Sequence, residues 1–291
     1  MSTQAPAAMR QAVLMTHNGP AETEAMASAV RAAEQASCVL IADGDEAAKH
    51  GDAGAGLEVV DELPESPDLC LVLGGDGTIL RALRRYSGTA TPVFAVNFGR
   101  IGFLAAVGRE QLDQGLERAF AGEFEIVALP GLELRGPESA AATGPALNDI
   151  TFARSPRAPV AELAYSLGGE EIGHVRCDGL VAATPAGSTG YNLANAGPVM
   201  AWGVEGFAVS FIAPHTLTAR ALVVAPDDVL HVRNAESRDS VQVAFDGNHE
   251  LDLAEGDEVE VRFRDSVANL AELSGANFYR RMREKFGQLA R

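Results

Sequence analysis

Five consecutive apolar residues, Leu69-Cys70-Leu71-Val72-Leu73, run without a polar break into Gly74-Gly75-Asp76-Gly77 and then into an amphipathic stretch, Thr78 to Tyr86. A run that short and that uniformly apolar reads as a strand buried on both faces, as found in parallel sheets covered by helices. Its surroundings have the same texture. Val13-Leu14-Met15 and Cys38 to Ala42 read as strands, Ala21 to Ala36 as the helix between them, and Val93 to Val96 as a further strand. Strands and helices in alternation imply an α/β domain built on a parallel sheet. His50 to Gly56, glycine-rich and acidic without a hydrophobic period, reads as a surface loop.

Beyond a helical stretch at Glu110 to Gly122 the pattern changes to short β-rich runs: Leu132 to Arg135, Asp149 to Ala153, Glu162 to Leu167, Leu180 to Ala183, Val209 to Ile212, Val241 to Phe245 and Val259 to Phe263. These imply a second, all-β domain. Asn277 to Phe286 is basic and amphipathic, a helix able to return to the first domain. The expected division is an α/β domain over 1–122, completed by 272–291, and a β domain over 123–271.

The net charge is −17, with acidic residues scattered along the chain, so nothing in it marks a nucleic-acid or anionic-membrane binder. An acidic protein that handles an anionic ligand must supply positive potential locally, from backbone N–H groups, helix N-termini, a few arginines or a metal. Cys38, Cys70 and Cys177 are far apart and odd in number, which argues against a disulfide framework. With no run of about 18 apolar residues and no apolar leader, a cytoplasmic protein is expected.

Ligands of open parallel sheets bind at carboxyl strand ends, and Gly74, Gly75 and Gly77 stand at one. Without Cβ atoms they let backbone N–H groups approach phosphate oxygens. A carboxylate inside such a cradle repels its ligand unless it accepts a proton or holds a metal. The plain alternative is a tight turn with Asp76 as helix N-cap. Neither the G-x-x-x-x-G-K-[ST] loop nor the third glycine of the dinucleotide fingerprint is present.

Gly74-Gly75-Asp76-Gly77-Thr78 resembles the motif shared by NAD kinases, diacylglycerol- and sphingosine-type lipid kinases and phosphofructokinases. Asn97-Phe98-Gly99-Arg100-Ile101-Gly102-Phe103-Leu104 resembles the N-x-G-x-x-G-F-L stretch of NAD kinases. There Phe103 is read either as stacking on a base or as a core residue. Asp178-Gly179-Leu180-Val181-Ala182-Ala183-Thr184-Pro185-Ala186-Gly187-Ser188-Thr189-Gly190-Tyr191 resembles that family's D-G-x-x-x-x-T-P-x-G-S-T-x-Y signature, departing at Gly190 and, where a hydroxyl residue is usual, at Ala186. Ser188 is read first as a helix cap, since G-x-S-x-G is not satisfied. Asn148-Asp149 looks like the family's Asn-acidic pair, with Asp where Glu is common. Pro214 to Arg220, Phe245-Asp246-Gly247 and Phe278 to Lys285 are weaker matches.

The resemblance implies an NAD kinase: an α/β domain and a β-sandwich with the active site in the cleft between them, ATP and NAD as substrates, and Mg²⁺ or another divalent metal. It implies Asp76 as catalytic base and Asp76, Gly77, Phe103, Asn148, Asp149, Asp178, Thr189, Tyr191 and Asp246 as NAD-binding residues. Gly74, Gly75, Gly77, Thr78 and Arg81 are implied for ATP phosphates. A homodimer or homotetramer is expected on the same ground. The rivals are a lipid kinase sharing the Asp76 loop and a noncatalytic NAD-sensing module.

Overall fold

The structure, a computed structural model, describes residues 9–17, 23–98, 102–136, 144–235, 239–275 and 278–287. The chain forms two compact units: Met1–Ala128 with Ala268–Arg291, and Leu129–Val267.

The first unit runs β1 (Gln11–Thr16), α1 (Thr23–Gln35), β2 (Val39–Asp43), α2 (Gly44–Ala48), β3 (Glu58–Val60), β4 (Leu69–Leu73), α3 (Asp76–Arg85), β5 (Pro92–Asn97), β6 (Val107–Gly108) and α4 (Leu112–Phe120). Its strands are parallel in the order β5-β4-β1-β2-β3. Successive side chains point to opposite faces, so Leu14, Leu69, Leu71, Leu73, Phe94 and Val96 enter a core with α1 and α4. α3, with Ile79, Ala82 and Leu83 buried, packs against β4 and β5. Both faces of β4 are thus covered, which accounts for its unbroken apolar run.

The second unit carries β8 (Asp149–Arg154), β9 (Ala161–Leu167), β10 (Glu170–Cys177), β11 (Gly179–Ala183), α5 (Tyr191–Ala194), β12 (Phe207–Ile212), β13 (Leu222–Val224), β14 (Leu230–Asn234), β15 (Val241–Phe245) and β16 (Asn248–Leu253). β7 (Glu125–Arg135) and β17 (Glu258–Glu272) each run across the division between units. One antiparallel sheet has the order β13-β12-β11-β8-β15-β16, and β10-β9-β14 joins the first part of β17 in another. Ile150, Phe152, Leu180 and Val243 from the one and Leu163, Val232 and Val261 from the other share a core, the arrangement of a β-sandwich. The last part of β17, Asn269 to Ala271, pairs parallel with Pro92 to Phe94 inside the first unit. α6 (Phe278–Phe286) also belongs to the first unit.

The α/β class, the β domain and the returning helix follow the sequence reading. Several elements do not. His50 to Gly56 holds a turn of 3-10 helix at Gly51–Gly54, and the His50 imidazole is buried. β10 (sequence EEIGHVRC) is too polar, and too exposed on its open edge, to stand out. β17 extends past Phe263 because Arg264-Asp265-Ser266 interrupts the apolar alternation without ending the strand, with Ser266 at φ +53°. The helix expected from Ala21 and the one expected from Asn277 begin outside the described residues.

Candidate active site

In the first unit the chain passes from β1 to β2 on one side and returns to β4 on the other, so the order reverses between β1 and β4. Ligand sites of open α/β sheets lie outside the carboxyl ends of strands at such a reversal. Gly74 to Gly77 leave β4 at that end. Gly75 precedes α3 without a side-chain cap, and Asp76 is the first helical residue. The first N–H groups of a helix have no intrahelical acceptor, and positions 75 and 77 have nothing within 4 Å of where a Cβ would stand. The loop therefore presents open space and polarised N–H groups suited to an anion.

Asp76 does not cap its own helix. Its Oδ2 accepts the N–H of Phe103 at 2.9 Å and its Oδ1 that of Leu104 at 3.3 Å. A Cβ on Gly102 would lie 1.7 Å from Asp76 Oδ1, so glycine at 102 is what lets the carboxylate approach. Gly99, Arg100 and Ile101 of the same motif lie outside the described residues. The Phe103 side chain is 5% exposed, with ring centroids 6.2 Å from Phe278 and 5.8 Å from Phe286, and Lys285 Nζ lies 4.4 Å from its centroid. That is the position of a core residue, the alternative to base stacking. Behind it the buried Arg281 pairs with Glu272, Nη1 to Oε1 2.5 Å. Burial pushes the Glu272 carboxyl up, and the Arg281 charge offsets this only in part.

Thr78 is buried, its Oγ1 2.9 Å from where a Cβ on Gly74 would stand. Arg81 donates from Nη2 to the Thr16 carbonyl at 3.0 Å, its side chain half exposed. Under it sits a network that sequence reading missed. Buried Glu46 accepts from the Thr16 hydroxyl and N–H, pairs with Lys49 at 3.0 Å, and lies 3.3 Å from His50 Nε2 and 3.9 Å from Arg81. Burial raises its carboxyl, but the Thr16 and Lys49 contacts outweigh that and hold it below the usual range. Only Lys49 and His50, three and four residues on, were within reach of a sequence pattern.

In the second unit Asp246 and Gly247 form the two-residue turn between β15 and β16, with φ +50° and +81°. Asp-Gly suits such a turn because both positions need positive φ. The turn aims the Asp246 carboxylate at three backbone N–H groups: Asn148 at 2.6 Å, Leu147 and Asp149 at 3.1 Å. From the other side buried Thr184 donates its hydroxyl to the Leu147 carbonyl at 2.6 Å and its N–H to the Asn148 carbonyl at 2.9 Å. A Cβ at Gly187 would stand 1.9 Å from that same Asn148 carbonyl. The Thr-Pro-x-Gly turn thus locks the Asn148 main chain and leaves the half-buried amide side chain as the variable contact.

Ser188 is fully buried: its Oγ donates to the Pro185 carbonyl at 2.7 Å and accepts the Met200 N–H at 2.9 Å, a structural tie. Thr189 Oγ1 reaches the Ala186 carbonyl at 3.2 Å, and Tyr191 is 45% exposed. Asp178 stands apart. It precedes β11, paired with Arg154 Nε at 2.8 Å, whereas Asp149 lies opposite Ala183 at the other end of that strand. Five strand steps put about 16 Å between the two positions. Asn148, Asp149, Asp246, Thr184 and Gly187 form one cluster, and Asp178 is not in it.

Residues 4–124 match the model of the ATP-NAD kinase N-terminal domain and residues 147–273 that of the ATP-NAD kinase C-terminal domain. The chain belongs to the NAD kinase family. An NAD kinase of Symbiobacterium thermophilum is 38% identical over 229 residues, covering 76% of this chain and 81% of its own. One from Carboxydothermus hydrogenoformans is 33% identical, covering 80% and 84%. Among solved structures, a yeast NADH kinase complexed with NADH superposes with a TM-score of 0.83 at 22% identity, covering 97% of this chain and 88% of its own, a likeness of fold. An NAD kinase from Archaeoglobus fulgidus in complex with ATP gives 0.71 at 25% identity, covering 97% and 99%. As in its family, the activity of this chain is conversion of NAD to NADP.

The cluster around Asn148 generates a pH prediction. Burial, then the neighbouring Asp246 charge, pushes the Asp149 carboxyl from 3.8 up to about 6. Well below pH ~4 both folded and unfolded chains carry the proton and no penalty arises. From there to pH ~6 the unfolded chain ionises first, so folded stability falls by up to about 3 kcal/mol and stays lower above. Asp149→Asn keeps an acceptor for the Thr151 hydroxyl but does not titrate. Urea unfolding of both proteins between pH 4 and 7.5 should show the variant gaining relative stability as pH rises, with little difference at pH 4. A gap independent of pH would show that Asp149 ionises normally.

Proposed function

We propose that this chain transfers the γ-phosphoryl group of ATP to the 2′-hydroxyl of the adenosine ribose of NAD, with Asp76 as the proton acceptor. The observation that carries this is the Asp76 carboxylate, at the head of α3 among open glycine positions, with each oxygen taking one main-chain N–H and keeping a lone pair. The ribose O2′ attacks the γ-phosphorus, the bond to the bridging oxygen breaks, ADP leaves, and the hydroxyl proton passes to Asp76. Positioning and electrostatic stabilisation supply most of the acceleration in such transfers. The N–H groups of the 75–77 turn and Arg81 are suited to the phosphates.

Mg²⁺ fits this donor set. It takes one or two carboxylates and completes its shell with phosphate oxygens and water, and Asp76 has the lone pairs for one such bond. Among the described residues no group of three or more His, Cys, Asp and Glu side chains could hold an ion on its own. When bound, the cation would neutralise charge on the transferred group. Asn148 and Thr189 are assigned to the adenine and Asp149 to the ribose, while Asp246, through its three N–H contacts, sets the Asn148 segment. Tyr191 and Asp178 contribute at the rim of the NAD site. Phe103 serves by packing. The working protein is a cytoplasmic homodimer or homotetramer, and a fully active species of monomer mass by light scattering would overturn the oligomer.

Two substitutions test the assignment. Asp76→Asn removes the proton acceptor and also leaves one of the Phe103 and Leu104 N–H groups without a carboxylate oxygen, so an unfolding midpoint must accompany kcat. With product read by an NADP-specific dehydrogenase, kcat should fall about 10²- to 10⁴-fold in a folded variant; turnover within a few-fold of wild type would show that Asp76 is not the base. Asn148→Ala should raise KM for NAD more than KM for ATP, by the 1 to 3 kcal/mol, roughly, of an unpaired buried polar group. Equal effects on both substrates would remove Asn148 from the adenine site. NAD binding without any turnover by the wild-type chain would leave only a sensing role.

A further inference from the structure

We propose that Arg281, on α6, is a positioning residue for phosphoryl transfer, fixing through the Phe103 carbonyl the peptide group whose Leu104 N–H holds the Asp76 carboxylate, and through the Ala105 carbonyl the segment that follows. The proposal rests on the reading of Asp76 as proton acceptor. Arg281 is 6% exposed, and a guanidinium is seldom buried without a partner for its charge. Glu272, equally buried, supplies that partner at 2.5 Å. Charge neutralisation alone does not require what the guanidinium does next. Nη1 donates to the Phe103 carbonyl at 2.6 Å and Nη2 to the Ala105 carbonyl at 3.1 Å.

One of these carbonyls stands between the two amides that matter. The Phe103 N–H and the Leu104 N–H point to Asp76, and the Phe103 carbonyl belongs to the same peptide unit as the Leu104 N–H. Holding that carbonyl on one side aims that N–H on the other, because the peptide group is planar. The Ala105 carbonyl belongs to the peptide two further on, and holding it as well limits rotation of the segment between. Arg is suited to this because its fork is rigid and presents several donors in one plane, where a lysine ammonium is a flexible point donor. The Phe103 ring, against Phe278 and Phe286, seats the same segment on the same helix by apolar contact. Glu272, Arg281, residues 103–105 and Asp76 thus form one relay from the C-terminal helix to the head of α3. A displacement of 1 Å at a reacting group can lower a rate about 100-fold, so the relay bears on kcat before it bears on binding.

A role confined to docking α6 makes different predictions, and Arg281→Lys separates them. It keeps the charge partner of Glu272 but cannot span two carbonyls. We expect kcat to fall about 10- to 100-fold with KM for NAD and for ATP each within about three-fold of wild type. Hydrogen exchange should quicken at the Phe103 and Leu104 amides and stay slow at Leu71 and Val96. Unchanged kcat in the folded variant, or unchanged exchange at 103 and 104, would overturn the proposal. Should Arg281→Lys fail to fold, Arg281→Met with Glu272→Leu replaces the ion pair by apolar groups of similar volume, a change that proteins often tolerate. A stable double variant with wild-type turnover would equally overturn it. Added to Asp76→Asn, Arg281→Lys should lower kcat by less than about three-fold, since both act through one carboxylate. Normal turnover of Asp76→Asn alone would remove the base and leave the exchange at 103 and 104 to decide whether Arg281 orders the segment.

Discussion

The hold of one carboxylate, Asp76, on two consecutive peptide N–H groups is the contact on which the loop after β4 and the segment after β5 depend. Asp76 begins α3 at the end of β4, and Phe103 and Leu104 follow β5. The bond therefore ties together the chain leaving two adjacent strands, at the edge of the sheet where its order reverses. A buried strand below, a glycine at 102 that admits the carboxylate, and an open loop above are all conditions for that one approach. In a protein with a net charge of −17, the head of α3 brings polarised peptide N–H groups to that loop, and the half-exposed Arg81 follows within the same helix.

The cluster around Asn148 repeats the principle with different parts. An aspartate in a tight turn, Asp246, takes three N–H groups from Leu147 to Asp149, and Thr184 and Gly187 close on the carbonyl side. In both units an acidic side chain orders the main chain beside it. The second cluster bears an electrostatic strain, because Asp149 is buried beside Asp246. Functional clusters commonly carry such strain, offset by stability elsewhere in the fold.

Much of this was legible in the residue order. Leu69 to Leu73 declared its burial, and the glycines after it declared a close approach, because both are local facts. The contacts that give those residues their roles are not local. Arg281 meets the Phe103 carbonyl 178 positions away, and Asp246 meets Asn148 across 98. Read alone, Arg281 was one of four basic residues on an amphipathic helix, and Phe103 read as a core residue from its type and as a stacking candidate from the resemblance. Glu46 carried no signal because a buried glutamate and an exposed one look alike until Thr16 and His50 are folded against it. Asp178 and Asn148 come from two separate family-like motifs, and the strand pairing places Asp178 before β11 and Asp149 opposite its far end.

The path of β17 has a consequence for how this protein is made. Its final residues and α6 complete a unit whose other elements lie before residue 129, so that unit is discontinuous in the chain. During synthesis β1 to β5 emerge early, but the edge of β5 that Asn269 to Ala271 will occupy stays unpaired until the whole β-sandwich has left the ribosome. Exposed strand edges of this kind invite pairing with other chains. At about 5 to 20 residues per second the wait for some 170 residues lasts on the order of ten to thirty seconds. Phe103 and its neighbours wait as long for α6. The nascent first unit is therefore the aggregation-prone species on the folding route, and a chain cut short before residue 268 would lack both the strand that closes the edge and the guanidinium that orders the segment after β5.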